Sequence, residues 1–137
     1  MYQAQHNEQL LSELVANLSY KDWVVTVAFY TAMHYVEAHF FNDPNIIHSD
    51  TSIPIDNQGK WLHTPHVWRM ELLRNNYPQD VWKSFRSLYN ESRIARYLLS
   101  QSGKAVTTDA QTHWTDAEAK DFVNIDLNTI KNSLGFC

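Results

Sequence analysis

Cysteine occurs once in the chain, at Cys137, which excludes an intramolecular disulfide and any cysteine-based metal site. Glycine and proline are almost as scarce, at three and four residues. A many-turned β-sandwich needs more of both, so a few long elements are expected instead. Uninterrupted apolar runs of membrane length are missing too. The most apolar stretch, residues 23–41, is broken by His34, Glu37 and His39, and no second span is present to pair with those groups. The opening MYQAQHNEQLLSEL has no basic region followed by an apolar run. The expectation is therefore a chain with no signal peptide and no membrane contact, located in the cytoplasm.

What is present is an ordinary globular balance rich in rings. Hydrophobic residues make up 44% and charged residues 19%, while aromatics reach 13% with five tryptophans. At 137 residues this fits a single domain spanning 1–137, with an aromatic core or a sizeable interface. The net charge of −4 is unevenly spread. Residues 60–104 carry eight lysines and arginines against three acids, +5, which leaves −9 for the remainder. Such asymmetry builds either a basic face on an acidic protein or helices that neutralise one another.

Apolar spacing predicts about five helices and no sheet. Leu10, Leu11, Leu14, Val15 and Leu18 give an amphipathic helix over 4–18. Ser19 reads as the N-cap of a second helix running to Phe41, with Asp22 completing a weak capping box. That helix is apolar around nearly its whole circumference, as a central helix is. Residues 42–63 hold turn formers and read as a long loop. Thr64 and Pro65 open a short third helix ending near Asn75–Asn76, and Pro78 opens a fourth reaching Ser102. Gly103 and VTTDAQTH break the chain again. Thr115 to Glu118 then form a capping box for a fifth helix with the stripe Phe122, Val123, Leu127, Ile130 and Leu134.

Three groups of residues could carry chemistry. Tyr30, His34 and Glu37 share a face of the second helix, flanked by Trp23 and Phe41. Glu37 could fix the tautomer of His34 as a general base or ligand, or the group could be a buried network paired with Arg93 or Arg96. In HTPHVWRMELLR, His66 and Arg69 lie one turn apart near a helix N-terminus that favours an anion. The fourth helix sets Trp82, Arg86, Tyr89, Arg93, Arg96 and Tyr97 beside a core stripe of Val81, Phe85, Leu88, Ser92, Ala95 and Leu99. Arginine interleaved with rings suits phosphate contact plus base stacking, or an aromatic protein interface. A metal site from His34, Glu37, His39, His63 and His66 is not expected, because His34 and His39 face different sides and no paired-histidine motif occurs. No cofactor is expected either. His6, His48 and His113 lie in polar segments and read as incidental.

DWVVTVAFYTAMHYVEAHFF, then HTPHVWRMELL, then YNESRIARYLL resemble, in order and spacing, the HEPN superfamily over roughly residues 10–101. The resemblance implies an up-and-down antiparallel helical bundle, commonly a homodimer. It also implies association with RNA or nucleotides in toxin–antitoxin or defence systems, with an operon-encoded protein partner. Catalytic members carry an arginine followed after four to six residues by a histidine. Here no arginine is so followed, since after Arg69 the only histidine is His113. The leading expectation is therefore a module binding nucleic acid or nucleotide through Arg69, Arg86, Tyr89, Arg93, Arg96 and Tyr97. One alternative is a metal-independent ribonuclease using His34, Glu37, His66 and Arg69 or Arg93. The other is a structural or regulatory interaction module whose tryptophans form the partner surface.

Overall fold

The computed structural model describes residues 2–44, 46, 53–97 and 113–136. It is mostly helical, and the described residues contain five helical rods and no strand. These are α1 (Tyr2–Asn17), α2 (Lys21–Asn42), α3 (Pro65–Asn76), α4 (Gln79–Tyr97) and a final rod. The final rod begins as α5 (Asp116–Asp121), widens into a π segment (Phe122–Leu127) and ends as α6 (Asn128–Ser133). Several expectations fall outside the described residues: the extension of the fourth helix to Ser102 with Leu99, the break that follows it, and His48.

Helix ends follow local chemistry in two cases and depart from it in one. The Thr64 hydroxyl accepts the Val67 amide and Pro65 occupies the first turn, as expected for α3. The Thr115–Glu118 capping box is complete in both directions. Ser19, however, does not cap α2. Its hydroxyl donates to the Asn17 side chain, and Tyr20 precedes the helix with no side-chain cap. The cause lies one residue earlier. Leu18 takes a left-handed conformation at φ 54°, donating its amide to the Leu14 carbonyl, and this tight reversal displaces Ser19 from the capping position.

Long-range contacts fix the helix directions. Glu8 of α1 meets Tyr35 of α2 across a short turn, so the two helices are antiparallel. Phe29 meets His66 at the start of α3, and Phe40 meets Tyr77 just beyond its end, so α2 and α3 run in the same sense. Arg96, late in α4, reaches Tyr30, so α4 runs against both. The final rod is parallel to α2, with Lys21 paired to Asp116 and Tyr35 against Phe136. A strict up-and-down order therefore fails between α2 and α3. The long connection there, which includes one isolated antiparallel bridge from Ile55 to Trp61, has the length to carry the chain back along the bundle.

α2 is the central helix. Val24, Val25, Ala28, Phe29, Ala32, Val36 and Phe40 are all fully or almost fully buried. They meet Leu11 of α1, Val81, Phe85 and Leu88 of α4, and Leu127 and Ile130 of the final rod. Burial of each such side chain stabilises the fold by about 1.5–3 kcal/mol before chain entropy is counted. Of the α1 stripe, Leu11 is buried and Leu14, Val15 and Leu18 are partly so, whereas Leu10 is 46% exposed. No helix among the described residues is long and apolar enough to cross a membrane.

Candidate functional site

Placing α2, α3 and α4 side by side assembles one polar cluster around the buried ring of Phe29. Glu37 of α2 is held by Arg69 of α3 through the guanidinium Nε, and Arg69 is only 8% exposed. Arg69 is thus the partner that sequence spacing had assigned to Arg93 or Arg96. The physical reason is the parallel approach of α3, which brings its second turn beside the later part of α2. Arg96 instead donates to the Tyr30 hydroxyl at 3.0 Å, two turns away from Glu37. Arg93 is exposed and lies over the Tyr89 ring at 5.8 Å.

His66 links these groups. Its Nδ1 lies 3.0 Å from Arg69 Nη1. A guanidinium can only donate, so Nδ1 must accept and the ring proton of neutral His66 must sit on Nε2. The ring is set edge-on to Phe29 at 5.1 Å and near Tyr89 at 5.8 Å. Burial, then the positive charges of Arg69 and Arg96, push its pKa down to about 4. At neutral pH His66 is therefore an uncharged donor whose Nε2–H has no acceptor among the described residues. That arrangement offers a hydrogen bond to an oxygen and offers no base at Nε2. His34 is half-buried and also lowered, by burial first and by Arg69, with Glu37 opposing. It makes no hydrogen bond among the described residues, so it is not the oriented half of a Glu37–His34 dyad.

Arg96 is the best-supported cation in the cluster. Its Nε donates to the Ser92 carbonyl and Nη2 to the Ser92 hydroxyl, and its Cζ lies 5.8 Å from the centre of the Phe29 ring, 5.6 Å from that of Tyr30 and 5.3 Å from that of Tyr97. Tyr97 itself is 59% exposed. Arg86 stands apart, over two turns nearer the start of α4. It covers Trp82 at 5.4 Å and lines an open polar groove with Lys83, Ser87, Asn90 and Glu91.

The cluster thus unites Glu37, His66, Arg69, Tyr89 and Arg96, adds Arg93 and Tyr97 at its rim, and leaves Arg86 on a separate patch. The other described histidines make ring contacts: His6 with Tyr2, His39 with Tyr77, His63 with Trp68 and His113 with Trp114. No group of three or more His, Cys, Asp or Glu side chains positioned for a metal occurs among the described residues. Sequence spacing missed two participants. Phe29 read as plain core, yet it is the surface on which His66 and Arg96 are seated. Asp22 read as a capping residue, yet it lines a small pocket with Trp23 and Arg96. A tryptophan at the start of so apolar a helix was the available signal. Compared with protein-family models, with curated proteins and with solved structures, the chain gives no match.

Proposed function

We propose that this chain is an atypical HEPN-like, homodimeric module that binds nucleic acid or nucleotide through α3 and α4, in a toxin–antitoxin or defence setting with an operon-encoded partner. The observation that carries the reading is the alternation of cation and ring along α4. Arg86, Arg93 and Arg96 each lie over an aromatic face, and two of the three are exposed. Guanidinium groups held over ring faces keep N–H groups for phosphate, while exposed rings such as Tyr97 accept a base. The neutral His66 donor beside them adds a contact to a phosphate or ribose oxygen.

Binding of single-stranded RNA should weaken steeply with salt, by about 0.7 in logarithmic slope per phosphate contacted. Arg93→Ala should reduce that slope by about one contact without changing the fold. Fluorescence anisotropy across a salt series measures both, and absence of RNA, DNA and nucleotide binding at low salt would refute the proposal. A second reading, a protein-interaction module, is favoured by a separate apolar groove formed by Leu10, Leu14, Tyr20, Trp23 and Val27. A tight oligomer in light scattering with no ligand binding would support it. The ribonuclease alternative requires His34 as base, because His66 presents only a donor. It predicts RNA turnover in EDTA that His34→Ala abolishes.

A further inference from the structure

At the edge of the α4 face, the start of α2 and the end of α4 enclose a pocket of about 210 Å³ lined by Asp22, Trp23, Thr26, Ala95 and Arg96. It is smaller than the roughly 300–1,000 Å³ of pockets for drug-sized ligands, and suited to a single planar fragment. Its lining is chemically divided. Asp22 supplies a carboxylate with no hydrogen bond or ion pair among the described residues. Its neighbour Lys21 is turned away to Asp116 at 3.0 Å, and Thr26 bonds the Asp22 main-chain carbonyl at 2.8 Å, not the side chain. Arg96 spends three of its N–H groups on Tyr30 and Ser92. A guanidinium has five, so two remain. Trp23 is 56% exposed and presents its indole beside them.

An acid and a base that line one pocket without pairing leave room for a ligand that donates on one edge and accepts on another. A ring platform between them asks for a flat ligand. We propose that this pocket is a guanine base site. The guanine N1–H and N2–H₂ form adjacent donors that match one carboxylate in bidentate fashion, here Asp22. O6 and N7 form the acceptor edge that an arginine reads, here Arg96. Trp23 supplies the stacking face. Adenine turns the N1 lone pair toward the carboxylate, and uracil offers a single donor flanked by carbonyls, so both are rejected by the unpaired acid.

The inference rests on the nucleic-acid reading above and names the base it selects. The test uses the full chain and labelled oligouridines carrying one central guanine, adenine or inosine, read by anisotropy at fixed salt. Guanine should be bound about tenfold or more tightly than adenine, the worth of one bidentate base contact, with inosine between them because it lacks the N2 amino group. Asp22→Asn should erase the preference for guanine over adenine. Trp23→Ala should weaken all three about tenfold through lost stacking. Both positions reach the surface, and circular dichroism confirms that each variant is folded. Equal binding of the guanine and adenine oligomers, or a preference that survives Asp22→Asn, overturns the guanine site while the nucleic-acid reading stands. No binding of any oligomer at low salt overturns both.

Discussion

Two polar clusters flank the central helix, and they are finished differently. On one side, Glu8 accepts the Tyr35 hydroxyl at 2.5 Å through one oxygen and Lys131 at 2.6 Å through the other. Lys131 also lies over the Tyr35 ring at 5.5 Å. This cluster ties α1, α2 and α6 together and leaves no carboxylate oxygen over. The pKa of Tyr35 is raised, by burial first and then by its bond to Glu8, so the phenol stays protonated and donating throughout the accessible range. On the other side, Arg69 holds Glu37 and His66, Arg96 holds Tyr30, and the two sets meet only around the Phe29 ring, yet donors remain on His66 and Arg96. A cluster built only for stability closes on itself. The open one keeps groups in reserve, and a ligand is what would use them.

The sharpest way to break the contrast is to remove Arg69. Arg69→Met takes from Glu37 its buried guanidinium, and about 3 kcal/mol of stability should be lost in urea unfolding. The same change frees Nδ1 of His66 and should raise its titration midpoint from about 4 toward the ordinary histidine range, read by NMR. A midpoint that stays put would mean that burial and Arg96 set it. Next comes the pH dependence of stability. The folded pKa of His66 lies below the unfolded value of 6.5, so the unfolded chain takes up the proton first as pH falls. Stability from this group is fully present above 6.5 and is withdrawn between 6.5 and about 4. Because the ring keeps solvent contact, about 1–2 kcal/mol is expected in place of the full 1.36 per unit. His66→Asn should flatten that part of the curve, and a wild-type curve already flat there would contradict the assignment. The smallest effect belongs to the closed cluster. Tyr35→Phe removes one charge-assisted bond yet leaves Glu8 its lysine, so a loss of about 1 kcal/mol is expected, with RNA binding untouched.

The two clusters also differ in how far they could be read from residues. Tyr30, His34 and Glu37 stand at helical spacing on one apolar helix, and His66 and Arg69 share a turn, so the open cluster's members were visible as candidates. Their pairing was not. Whether Arg69, Arg93 or Arg96 reaches Glu37 depends on the direction in which α3 returns, and the residues of the long connection do not encode that direction in any periodic way. The closed cluster left no local trace, since Glu8 and Lys131 are 123 residues apart and each alone reads as a solvated charge. The helices themselves were legible where caps and periodicity agreed, as at Thr64–Pro65 and Thr115–Glu118. Ser19 failed because the left-handed Leu18 is a backbone choice that a leucine does not advertise.

The π segment of the final rod has a bearing on how this chain tolerates changes in length. Its main-chain bonds reach one residue further than those of an α-helix, so it takes up extra chain without turning the helix that follows. Wound as plain α-helix, each residue so accommodated would rotate α6 by about 100°, carrying Lys131 away from Glu8 and Ile130 and Leu134 out of the core. Phe122–Leu127 is thus a phase adjuster between two packed faces. It is the place in the rod where a residue can be dropped and the helix can relax to ordinary winding with everything downstream still in step.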